Sequence, residues 1–116
     1  MEVVMKYAVP VSDGMMCSHF GHCEHFAVID VDKVKKEIIK KELIDAPSHQ
    51  PGLLPPWLAE KGVNCVIAGG MGMNAQNLFL SHGVEVVIGA MESDPEKAVL
   101  NHLHGKLNTG NNICDH

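Results

Sequence analysis

Residues 64–90 read NCVIAGGMGMNAQNLFLSHGVEVVIGA. An apolar run at 64–68 enters a glycine turn, and a second apolar run follows at 84–90. Between them, Ala75, Leu78 and Phe79 share one face of a helix that Gly83 terminates. Strand, helix and strand in that order require parallel strands joined by a right-handed crossover. Strands this uniformly apolar are buried on both faces, which places helices on each side of the sheet.

Working downstream, Asp94 is positioned to cap a further helix, with Pro95 at its first position. Val99, Leu100, Leu103 and Leu107 form that helix's apolar stripe. Upstream, YAVPV (residues 7–11) reads as a strand ended by the turn signal SDG, with Pro10 ending or bulging it. HFAVIDVD (25–32) and KEIIKKELI (36–44) read as two strands of a hairpin. The segment 45–56 is a proline-rich loop, and PPWLAEKG gives a short helix with Gly62 at its end. The element order is therefore β-β-β-α-β-α-β-α. It predicts an α/β fold, with one mixed five-stranded sheet made of an antiparallel meander followed by parallel strand–helix units. Where the first strand lies beside the fourth, the sheet changes winding direction, and ligands bind beyond the strand ends at such a point. The loop SDGMMCSHFGHC and the loop GGMGMN would meet there.

With 116 residues the chain has room for one domain. We assign it to residues 1–107, with 108–116 as a polar, flexible tail carrying a Cys-x-His pair. Hydrophobic residues at 46% supply a core without disulfide staples. A formal charge of −5 argues against nucleic acid as a partner. The one lysine cluster, at residues 33–42, is diluted by Glu37 and Glu42. No signal-peptide cleavage site is visible at the start, and no apolar run approaches the roughly 20 residues that span a bilayer. These readings exclude a membrane partner and place the chain in the cytoplasm, where its cysteines stay reduced and are available for metals or chemistry.

Most of those ligands fall in one segment. Cys17, His19, His22, Cys23 and His25 give C-x-H-x-x-H-C-x-H, a thiolate and imidazole set suited to zinc, copper or iron–sulfur centres. The spacing is not that of a zinc finger. The competing account is a surface loop whose cysteines are incidental. Gly69, Gly70, Met71, Gly72 and Met73 supply a backbone that a ligand can approach closely, or simply a tight turn with core methionines. Neither a phosphate loop nor a dinucleotide fingerprint is present. Cys114 and His116 form a further C-x-H pair, which either joins the site or is an inert end. Cys65 reads as a buried apolar residue, and His82, His102 and His104 read as inert. A Cys17–His19 nucleophile is conceivable, but nothing marks an orienting carboxylate, and Asp13 stands alone. Binding fits these residues better than turnover.

Three elements in this order resemble the dinitrogenase iron–molybdenum cofactor-binding family. They are Ser18-His19-Phe20-Gly21, the H-x-P-G-x-L-P-like loop at 49–55, and Gly69-Gly70-Met71-Gly72. That family includes NifX-type carriers, the C-terminal domain of NifB-type proteins and the molybdenum–copper orange protein. The resemblance spans roughly residues 5–107. It implies a ribonuclease H-like fold and binding of an anionic metal–sulfur cluster, with His19 and the glycine turn as contacts. Cys17, Cys23 and His25 lie outside the general family pattern, and Asn74 replaces a frequent basic residue. Those departures add soft ligands and remove positive charge, favouring direct coordination of iron, zinc, copper or a smaller cluster.

The expectation is a non-enzymatic protein that carries or stores a metal–sulfur cluster (iron–sulfur, iron–molybdenum or molybdenum–copper type) or a soft transition metal. Its partners would be cluster donor or acceptor proteins. The alternative is a regulatory or interaction module of the same fold with incidental metal binding.

Overall fold

The computed structural model describes residues 4–17, 24–46, 53–105 and 107. His19, Gly21, His22, Cys23, the loop 47–52 and the tail 108–116 with Cys114 and His116 lie outside the described residues. In chain order the elements are β1 (Val4–Ser12), β2 (Met15–Met16), β3 (His25–Asp32), β4 (Glu37–Asp45), α1 (Leu54–Glu60), β5 (Cys65–Ile67), α2 (Met73–Ser81), β6 (Glu85–Val87) and α3 (Pro95–Leu103).

The mixed sheet runs β4-β3-β1-β5-β6, with β2 attached to β1. β1 pairs antiparallel with β3 along its length and parallel with β5 at Tyr7 and Ala8. β5 and β6 are parallel, with Cys65 opposite Glu85. β1 therefore lies beside β5, which is the condition under which the winding reverses, and it reverses at β1.

Alternation along the central strands sorts the core into two faces. Tyr7, Val9, Val11, Ala27, Ile29, Cys65 and Ile67 pack with Ala98 and Val99 of α3. Ala8, Phe26 and Val66 point the other way, onto Leu58 of α1 and Phe79 of α2. This is why β1 and β5 carry no polar stripe. β4 is the exposed edge, and Lys40, Lys41 and Glu42 guard it against pairing with another chain.

Two details differ from the sequence reading. First, β1 continues through Pro10 to Ser12, and the sheet gains β2 as a short sixth strand. Asp13 (φ 54°) and Gly14 (φ 79°) both sit in the left-handed region, the signature of a two-residue type I′ hairpin. Ser12 then faces Met15, and Val11 faces Met16. The N–H of Cys17 donates to the carbonyl of Pro10 at 2.8 Å. Proline has no N–H to return that bond, so this ladder ends at Cys17. A two-residue strand is too short to leave a periodic trace in sequence. Second, Leu107 lies beyond α3, although it still packs on the core beside Leu103.

The cap of α3 forms as expected: the Asp94 carboxylate accepts from the N–H groups of Glu96 (2.9 Å) and Lys97 (3.4 Å). Removing it leaves those donors to water, so Asp94→Ala should lower stability by about 1 kcal/mol. A thermal melt should show this as a Tm roughly 4–6 °C lower. Cys65 is fully buried, and burial together with the neighbouring Glu85 charge pushes its thiol well above the ordinary range. Iodoacetamide at about pH 8 should leave Cys65 unmodified in the native chain and alkylate it in denaturant, read by peptide mass spectrometry.

Candidate functional site

The carboxyl ends of β1, β5 and β6 converge, and a cavity of about 150 Å³ opens there. That is space for a guest the size of benzene. Met16, Cys17, Gly69, Ala90, Met91, Glu92 and Ser93 line it.

Backbone hydrogen bonds explain why these segments meet. The I′ hairpin folds β2 back beside β1, and the N–H of Met16 donates to the carbonyl of Ser93 at 2.7 Å. The loop after β5 is stitched to the loop after β6 by two bonds: Gly89 N–H donates to Gly69 O at 3.0 Å, and Ala90 N–H to Ala68 O at 3.2 Å. Glu92 turns its carboxylate toward the helix start, accepting from Asp94 N–H at 3.1 Å. Each wall is thus fixed by main chain, leaving the Cys17 thiol, the Glu92 carboxylate, Ser93 and two methionines to give the cavity its chemistry.

The sequence-derived candidates divide. Cys17 and Gly69 reach the cavity. Gly70 is buried beside it, whereas Met71 is wholly buried in the core between the sheet and α1 and α2. Gly72 is the N-cap of α2, where no side-chain cap is made, and Met73 is exposed in the first turn. Gln76 instead reaches back, its Nε2 donating to Met71 O at 2.9 Å and holding the glycine turn closed. His25 lies at the same end of the sheet, opposite Val11, but its Nε2 faces Asp45 at 3.2 Å on β4, away from β1. With that carboxylate 92% exposed, the pair contributes little to stability.

Residues 90–93 were missed. The available signal was topological: β6 neighbours β5 in parallel, so the loop after β6 ends beside the loop after β5. His102, read as an inert helix-surface or end residue, is half-buried and bonded to the sheet. Its Nδ1 shares a 2.7 Å hydrogen bond with the Tyr7 hydroxyl, and the two rings meet edge to face at 5.6 Å. His102, Cys65 and Glu85 offer one ligand atom each, all within 4.8 Å of one another. No spacing rule could expose this group, because its members come from α3, β5 and β6.

The arrangement has relatives. An uncharacterized protein from Methanocaldococcus jannaschii, MJ0580, is 30% identical over 109 residues, covering 90% of each chain. The crystal structure of PH0822 superimposes with a TM-score of 0.83 at 26% identity, covering 90% of this chain and 94% of that one. The apo form of the orange protein from Desulfovibrio gigas shares the fold, with a TM-score of 0.70 at 24% identity, covering 97% and 98%. The profile described as dinitrogenase iron-molybdenum cofactor matches residues 3–105, which takes in the switch-point loops and both helical layers. This chain is a member of the dinitrogenase iron–molybdenum cofactor family.

Proposed function

We propose that this protein is a non-enzymatic carrier or store for a metal–sulfur cluster or soft metal, seated where the loops after β1, β5 and β6 meet. The observation that carries the reading is Cys17 on the wall of a cavity at the sheet's switch point, in a chain of this family. Thiol and thioether sulfur match soft metals, and a cavity framed by backbone holds cargo without catalytic groups.

The lining also bears on the cargo. Among the described residues around the cavity, Glu92 is the charged group and no lysine or arginine stands beside it. A strongly anionic cluster would face that carboxylate, and no lysine or arginine among the described lining residues offsets it, which is unfavourable. A metal cation or a small cluster of low net charge fits the donor set better than a large polyanionic cofactor. Cys17 is the first ligand, His19, His22 and Cys23 are the next candidates, and Gly69 lets the cargo approach the main chain. His25, Cys114 and His116 are possible additions to the set. Donor and acceptor proteins of the cluster are the partners this role requires.

The test is elemental and sulfide analysis with an absorption spectrum, on protein purified without oxygen and without an affinity tag. We expect stoichiometric iron, molybdenum or copper with visible charge-transfer bands, both lost in the Cys17→Ala/Cys23→Ala double variant. Binding should weaken below neutral pH, because thiols and imidazoles must lose protons to bind. Unchanged bands in the double variant would overturn the ligand assignment. Failure to take up any of these metals after anaerobic reconstitution would overturn the function.

A further inference from the structure

A second group of ligating side chains lies on the α3 face of the sheet, independent of the switch-point cavity. Cys65 begins β5, Glu85 begins β6 directly opposite it, and His102 descends from the last turn of α3. Their ligating atoms all lie within 4.8 Å of one another. Tyr7, opposite Cys65 on β1 and almost fully buried, holds His102 through the 2.7 Å bond to Nδ1. A carboxylate, an imidazole, a phenol and a thiol here break an otherwise apolar face.

We infer that Cys65, Glu85 and His102 form a mononuclear site for a divalent transition-metal ion of borderline softness, of which zinc is the type.

Charge and geometry both support this. One thiolate and one carboxylate neutralise a divalent ion, so the complex is far less costly to bury than any of its parts alone. In the structure the thiol donates to the Val66 carbonyl at 4.0 Å, and burial with the nearby Glu85 charge favours its protonated form. On binding, the thiol proton leaves to solvent as the metal–sulfur bond forms, with no change in oxidation state. Sulfur, nitrogen and oxygen at ordinary zinc bond lengths stand about 3.5 Å apart in a tetrahedron. Closing from at most 4.8 Å therefore needs up to roughly 1 Å of movement, shared between the exposed Glu85 side chain and the half-buried His102 ring. Three protein ligands leave the fourth position to water on that exposed side. Tyr7 is a positioning residue: its hydrogen bond to the imidazole fixes the ring, as outer hydrogen bonds do for metal-bound histidines.

The experiment uses the full chain with Cys17, Cys23 and Cys114 replaced by alanine, so that Cys65 is the sole thiol. Anaerobic titration with Co²⁺ should give one equivalent bound. A sulfur-to-cobalt charge-transfer band in the near ultraviolet and the visible bands of tetrahedral cobalt should both appear, and Zn²⁺ should displace them. Histidines elsewhere in the chain cannot produce the sulfur band. Adding Cys65→Ser should abolish it, and Glu85→Gln, at an exposed position, should weaken binding by at least ~10-fold. Tyr7→Phe should keep the band and weaken binding by ~10–100-fold, the range expected for loss of an outer-shell partner. Circular dichroism establishes that each variant is folded. A folded sole-thiol chain that shows no sulfur band would overturn the site, as would unchanged affinity in both Glu85→Gln and His102→Gln. Neither result touches the switch-point cargo, whose cysteines are already absent from this background.

Discussion

β1 is bonded on one side to an antiparallel strand and on the other to a parallel one, and the rest of the molecule is arranged around that double pairing. An antiparallel neighbour is reached by a turn, whereas a parallel neighbour demands a return crossing through a helix. The chain therefore spends its first part on a meander beside one edge of β1 and its second part on strand–helix units beside the other. At the carboxyl end of β1 these two routes diverge, and the cavity lined by Met16, Cys17, Gly69 and Glu92 opens there. The cavity is a consequence of topology before it is a consequence of any particular side chain.

What the side chains add is selectivity. The I′ hairpin at Asp13-Gly14 turns the chain back so that Cys17 stands at the cavity wall. The stitching bonds between the loops after β5 and β6 consume the backbone groups that would otherwise need water, so the walls are firm. Glu92 then brings a negative charge to the cavity wall. An anion-binding glycine loop would favour a polyanionic guest, yet here the loop after the neighbouring strand brings a carboxylate to the same space. That opposition argues for coordination of metal by soft ligands over capture of a charged cofactor by main-chain dipoles.

Much of this was legible in the sequence because it depended on local rules. Gly83 ends a helix, Asp94 and Pro95 begin one, and the uniform apolarity of 64–68 announces a strand covered on both faces. Those particulars set the elements, whereas the first strand beside the fourth entered only as the condition for the two loops to meet, and the parallel pairing of Tyr7 with Cys65 meets it. The misses had a different character. Pro10 looked like a strand end because a lost ladder bond is normally decisive. Its missing N–H instead falls on the side where only a two-residue strand pairs, so little is lost. His102 looked inert because helix periodicity says which face a residue occupies, not which strand residue lies beneath it. For Met71 the sequence left open a ligand-facing turn or a core methionine, and its side chain is buried in the core. In each case the deciding fact was a contact between elements distant in sequence, and no window on the chain contains it.

The same distinction bears on how the two metal-ligating regions relate. α3 is common to both: its cap residue Asp94 donates its N–H to Glu92 at the cavity wall, and its last turn carries His102. A metal ion held by Cys65, Glu85 and His102 would cross-link β5, β6 and α3, elements that the unfolded chain does not bring together. Such an ion stabilises the fold by mass action, by about 2.7 kcal/mol when free metal is a hundredfold above its dissociation constant. In a domain of this size that is a large share of the total. Were the inferred ion bound, its cross-link would act on α3, whose start meets the cavity wall where Asp94 N–H donates to Glu92.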